Sequence, residues 1–217
     1  MTAVEDVYFS ADVETDGPIP GPYSMLSFAL VPAGRFDGQR FERPTSTADS
    51  FYACLRPISD HFEPEALAVN GLDRAALLET GTDPAQAMRD ASQWIAERCR
   101  GGVPILVAYP LSFDGSWLYW YFVRFLGESP FGHSRCFDVK TAIAVQHGLP
   151  IAAAGRKHLP AELQPNHPHT HHAVDDAIAQ AEIFAKLFEG RGAWWRTTSS
   201  PPDANTPRPS SSACKPR

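Results

Sequence analysis

Three strand-like runs come first in this chain, and strand–helix units follow. DVYFSADVE (6–14) is rich in β-branched and aromatic residues and is broken by TDGPIPGP; SMLSFALVPA (24–33) and DSFYACLRP (49–57) come next. PEALAVNGL (64–72) reads as a short helix ending near Gly71. DPAQAMRDASQWIAERC (83–99) reads as a helix, with Asp83 as N-cap and Pro84 at the first helical position. Its Ala87, Ala91, Trp94, Ile95 and Arg98 recur at helical spacing. VPILVAY (103–109) is short and apolar, as a buried strand should be, and FDGSWLYWYFVRFLGE (113–128) follows as a helix with aromatic residues on nearly every side. A strand near Arg135–Phe137 leads into a helix over 138–148. In the last helix Val174, Ala177, Ile178, Ala181, Phe184, Ala185 and Phe188 form one stripe, and Gly190 is a natural stop. That order predicts a mixed α/β sheet with helices packed on it.

The chain has 217 residues, enough for one domain with a real core. From about Thr197 the composition changes to TTSSPPDANTPRPSSSACKPR, with almost nothing apolar to bury. The expected organisation is therefore a folded domain over 1–196 and a disordered Pro/Ser-rich tail over 197–217. A formal charge of −6 argues against coating long nucleic acid by charge alone. It leaves room for a small site where metal ions supply the positive charge. Cys54, Cys99, Cys136 and Cys214 are far apart and form no C-x-x-C pair, which argues against a zinc ribbon. The first residues have neither the basic region nor the apolar stretch of a secretory signal, and no apolar run approaches a membrane span. A cytoplasmic protein with reduced thiols, making no membrane contact, is the expectation.

Side chains alternate along a strand, so Asp12 and Glu14 share a face with Tyr8 and Ser10. Alone, such a pair reads as a solvated strand end. Near a sheet centre, two carboxylates on one face repel and need a cation between them. Asp114 follows an apolar strand and opens a helix, where it would also complement the helix dipole. Asp175 and Asp176 open the last helix and have the same simple explanation. HPHTHHAVDDA (167–177) places four histidines just ahead of them.

The order of these weak signals is more informative than any one of them. Asp12-Val13-Glu14 on the first strand, Phe113-Asp114 after a middle strand, and His171-His172-Ala173-Val174-Asp175-Asp176 at the last helix together resemble the DEDDh 3′–5′ exonucleases. That family includes polymerase proofreading domains, RNase T and oligoribonuclease. The resemblance spans residues 6–190 and fills all four acidic positions and the histidine. Many members carry His-Asn ahead of the second motif, as in AHNAxFD. Here AYPLSFD has Tyr109 and Pro110 at those places, so no asparagine contact is available there, while Asp114 keeps its position.

The resemblance implies an RNase H-like α/β fold, a mixed five-stranded sheet flanked by helices. It implies hydrolysis of phosphodiester bonds at the 3′ end of single-stranded RNA or DNA with two divalent ions. An all-carboxylate set suits Mg²⁺ or Mn²⁺, and two ions about 4 Å apart can stabilise attacking and leaving oxygens. By the family pattern Asp12 bridges both ions, Glu14 and Asp176 hold the one carrying the attacking water, and Asp114 holds the other. A histidine takes the proton from that water, a role its unperturbed pKa suits. Family spacing selects His171. On a continuous helix His171 and Asp176 would be about 140° apart, so His171 is expected in the loop before the helix. His172 should then face away, with His167 and His169 near solvent. The 3′ nucleotide is expected near Thr15 and the loop 17–26, with Met25 and Leu26 against a base and Arg156 and Lys157 at phosphates.

Two other readings stay open. One is a non-catalytic nucleic-acid-binding module on the same fold, favoured only by Tyr109-Pro110. The other is a zinc-binding histidine cluster unrelated to catalysis, which lacks a cysteine or second histidine pair to complete a structural site. RNA against DNA and a homodimer against a monomer are equally open at this level.

Overall fold

The computed structural model of the chain describes residues 4–46 and 48–190. The tail expected over 197–217 lies outside the described residues. Strand β1 (Asp6–Thr15) runs through the middle of a mixed sheet. Strand β2 (Met25–Phe36) pairs with it antiparallel, and the two-residue β3 (Phe41–Glu42) and β4 (Phe51–Cys54) both pair antiparallel with β2. On the other side of β1 come β5 (Val103–Ala108) and then β6 (Cys136–Asp138), both parallel. The sheet thus has six strands among the described residues rather than the expected five. The extra one is β3, too short to carry a periodic signal.

The alternation in β1 divides the core. Val7, Phe9, Ala11 and Val13 face α3 (Pro84–Cys99) and α4 (Leu111–Leu126). Trp117, Tyr121 and Phe122 of α4 are completely buried there, which explains a helix aromatic on so many sides. Tyr8 on the opposite face packs with Phe184 and Phe188 of α6 (Ala173–Glu189) and with α5 (Val139–His147). Sealing each such side chain from water contributes about 1.5–3 kcal/mol. Asp12 and Glu14 lie on this second face, beyond the apolar stretch.

Helix α4 begins two residues before the expected Phe113. Asp138 Oδ2 accepts the N–H of Leu111 at 2.7 Å, giving a first-turn amide the partner it lacks within the helix. The same carboxylate caps α5 by accepting from Thr141 N at 2.6 Å. Two short helices, α1 (Pro64–Asn70) and α2 (Arg74–Thr80), bridge β4 to α3. Helix α2 was not evident from periodicity; it is seven residues long and starts where Asp73 accepts from Ala76 N.

Candidate active site

Three separated segments bring four carboxylates together. Strand β1 runs past its parallel pairing with β5, which ends at Ser10 and Val107. Val13, beyond that point, donates its N–H to Asp114 Oδ1 at 3.2 Å. This holds the first turn of α4 against the end of β1. From the other face α6 supplies Asp176, and ligand oxygens of Asp12, Glu14 and Asp176 lie within 4.8 Å of one another. Asp12, Asp114 and Asp176 are buried.

Burial, joined by the charges of Asp114, Glu14 and Asp176, pushes the Asp12 carboxyl well above the usual range. Burial first, then Asp176 and Asp114, raises Glu14 to about 8. Burial raises Asp114 to about 7, against the backbone N–H donors that favour its charged form. The opposing cation at both Asp12 and Asp114 is Arg156. Like charges gathered in a desolvated place hold protons unless a cation replaces them. Four carboxylates offering only oxygen donors fit hard divalent ions.

The loop before α6 is tied to its first turn. Thr170 donates its N–H to Asp176 Oδ1 at 3.0 Å and its hydroxyl to Asp175 Oδ2 at 2.8 Å. His171 precedes the helix, with φ of 59°, a left-handed conformation in which histidine is over-represented for a non-glycine residue. His172 stacks on Tyr52, ring centroids 5.1 Å apart. His169 is exposed, as expected, yet its Nδ1 lies 2.6 Å from Asp176 Oδ1. A nitrogen of His169 and one of His171 both lie within 4.8 Å of Asp176. Geometry therefore puts two histidines at the site where spacing selected one.

The residues expected at the substrate fall into different environments. Thr15 is buried, and its hydroxyl donates to Gly17 O at 2.8 Å. Met25 and Leu26 have no exposed surface at all. Met25 belongs to the core against α4, where its N–H donates to Tyr121 Oη at 2.7 Å, so neither residue offers a face to a base in this conformation. Arg156 lies 5.3 Å from the centre of the Tyr109 ring and reaches toward His169 Nδ1 at 3.5 Å. Tyr109 in turn donates its hydroxyl to Ala154 O at 2.7 Å. The Tyr109 position is thus occupied by an aromatic platform for a guanidinium. Lys157 is exposed beside it.

Two residues escaped sequence reasoning. Gln180 is fully buried on α6 and donates Nε2 to Asp12 Oδ1 at 2.8 Å. It lies four residues after Asp176, so a polar pair on one helix face was a signal available to find it. Asp16 is fully buried, accepts from Ser24 N at 2.5 Å and pairs with Arg74 at 2.8 Å. It closes the loop after β1. In that loop Gly17 lies against Tyr23, where a Cβ would sit 2.1 Å from the ring. No helix among the described residues is long and apolar enough to cross a membrane.

No protein-family model matches the chain. It is 35% identical over 186 residues to the 3′–5′ DNA exonuclease Cap18 of Escherichia coli, covering 85% of this chain and 92% of that protein. Among solved structures it is similar to the nuclease domain of 3′hExo, a DEDDh family member, bound to rAMP: TM-score 0.64, 11% identity, 86% of this chain and 92% of that one. It is also similar to E. coli exonuclease I in complex with a dT13 oligonucleotide, with TM-score 0.59 and 16% identity over 87% of this chain. This chain spans 41% of that larger protein. The mixed sheet flanked by helices is thus the RNase H-like arrangement, and the chain belongs to the DEDDh family of 3′–5′ exonucleases.

Proposed function

We propose that this exonuclease removes nucleotides from the 3′ end of single-stranded DNA, using divalent ions held by Asp12, Glu14, Asp114 and Asp176. The observation that carries the reading is the convergence of these carboxylates, three of them with oxygens within 4.8 Å of one another, in a largely buried place. The DEDDh family uses divalent metals, and the all-oxygen donor set favours Mg²⁺ or Mn²⁺. Two such ions, when bound, supply the positive charge that offsets the phosphate and the developing charge on attacking and leaving oxygens. DNA is favoured over RNA by the activity of the relative Cap18.

The chain's own groups have distinct tasks. Val13 N–H fixes Asp114, Gln180 fixes Asp12 and Thr170 fixes Asp176, so the carboxylates are oriented before substrate arrives. His171, on the loop beside Asp176, takes the proton from the attacking water. Arg156, braced on Tyr109, meets a phosphate of the bound strand, and Lys157 adds charge outside it. Thr15 lines the same end of β1.

The experiment is digestion of matched DNA and RNA oligonucleotides, labelled at either end, with Mg²⁺, Mn²⁺ or a chelator. Metal-dependent shortening from the 3′ end of DNA is expected. Chelator-resistant cleavage, or shortening from the 5′ end, contradicts the proposal.

A further inference from the structure

The loop before α6 carries more metal-binding capacity than hydrolysis uses. His169 Nδ1 lies 2.6 Å from Asp176 Oδ1, and the His169 and His171 rings are 4.4 Å apart with their planes at 59°. One nitrogen from each ring and a carboxylate oxygen of Asp176 all lie within 4.8 Å of one another. The cause is local. Thr170, between the two histidines, is anchored on Asp175 and Asp176, and the chain reverses at His171 with its positive φ.

We propose that His169, His171 and Asp176 form a separate cation site for a Zn²⁺-class ion, and that filling it switches the exonuclease off. Two imidazole nitrogens and one carboxylate oxygen are a donor set for zinc, whereas Mg²⁺ keeps to oxygen ligands. Three protein ligands leave a fourth position for water. Zinc bonds of about 2.0–2.1 Å at tetrahedral angles separate ligand atoms by about 3.3 Å. His169 Nδ1 and Asp176 Oδ1 would part by about 0.7 Å, and the other pairs would close by at most about 1.5 Å, from that same geometry. Both histidines are exposed, so an ion reaches them from solvent and the loop can adjust. The histidine cluster lacks a cysteine or second histidine pair in sequence; the third ligand comes from the helix, as Asp176.

The site is inhibitory because it takes groups from the carboxylate centre. Asp176 is within reach of Asp12 and Glu14 as well, so it cannot serve both arrangements equally. Zinc on His171 also occupies the nitrogen lone pair that would accept a proton. This last clause rests on the exonuclease reading; the binding of zinc does not.

The test uses the full-length, untagged protein. Zn²⁺ is partitioned between the protein and a chromogenic zinc chelator in excess Mg²⁺, which fills oxygen-only sites. Wild type should take up one Zn²⁺, and His169→Ala and His171→Ala should each weaken it by about tenfold or more. His172→Ala, whose ring lies on Tyr52, should not. His169→Asn replaces the alanine variant if circular dichroism shows that to be misfolded. Equal zinc affinity in wild type and both site variants overturns the proposal, as does no uptake by wild type at micromolar Zn²⁺. In parallel, Zn²⁺ should inhibit Mg²⁺-supported digestion by wild type over the concentrations at which it binds. If Mg²⁺ supports no digestion at all, the nuclease reading fails while the zinc titration still reports on the site.

Discussion

Gln180 on α6 reaches Asp12 on β1, donating Nε2 to Oδ1 at 2.8 Å, with both residues buried. The bond ties the last helix to the first strand at the carboxylate centre. Removing such a support costs about 10–100-fold in metal affinity or activity. Gln180→Leu is expected to raise the Mg²⁺ concentration for half-maximal digestion on that scale. Loss of the buried bond to Asp12 should lower stability by about 1 kcal/mol, offset in part because the unpartnered Gln180 Oε1 is removed with it. An unchanged Mg²⁺ titration would show that Asp12 needs no such tether.

Asp12→Ala should remove nearly all digestion and leave the chain folded, since one of several mutually repelling carboxylates is gone. The metal-free protein offers a second readout. Asp12, Glu14 and Asp114 all have folded-state pKa values above their ordinary ones, so the folded state binds the extra protons. The contribution of Glu14 and Asp114 to stability is present below about pH 4 and is lost as pH rises through about 7 to 8, and Asp12 acts in the same direction. Metal-free wild type should therefore lose melting temperature between pH 5 and pH 8. Mg²⁺ or Mn²⁺ should flatten that slope, and Asp12→Ala should reduce it. A metal-free melting temperature that rises over this window contradicts the reading.

Two histidines near Asp176 make the identity of the base a question for kinetics. His171→Ala is expected to lower kcat by about 10²–10⁴, the scale for losing a general base. The acidic limb of its pH–rate profile should disappear. His172→Ala should change kcat less than about tenfold on that same scale. Assays across pH 5.5–9 would decide it; if His169→Ala is the variant that loses the acidic limb, the base is His169.

Arg156 on its Tyr109 platform should act on binding more than on turnover. Arg156→Leu is expected to raise KM for a DNA oligonucleotide. It should also reduce the slope of log affinity against log salt by about 0.7, the share of one phosphate contact on a single strand. Tyr109→Phe removes the hydroxyl bond to Ala154 and should cost about 1 kcal/mol of stability. An unaltered salt slope in Arg156→Leu would place that guanidinium away from the phosphates.

The parts legible in the chain itself are those set by neighbours in sequence. A period of two put Asp12 and Glu14 on one face of β1, and cap chemistry at Asp83 and the stop at Gly190 marked helix ends. Motif order pointed to the family, and the family's spacing of His171 and Asp176, set against helix geometry, implied that His171 lies ahead of α6, where it does lie. Periodicity assigns a face but not a depth, so nothing local revealed that Met25 and Leu26 are sealed in the core. Nor could it pair residues far apart in the chain. Gln180 meets Asp12 because α6 packs across β1, and Asp114 meets Val13 because β1 outruns β5. His169 joins Asp176 because a loop's path is chosen by the bonds it makes to the helix that follows, here through Thr170. Such contacts come from packing the whole sheet and its helices at once, and only the assembled chain contains them.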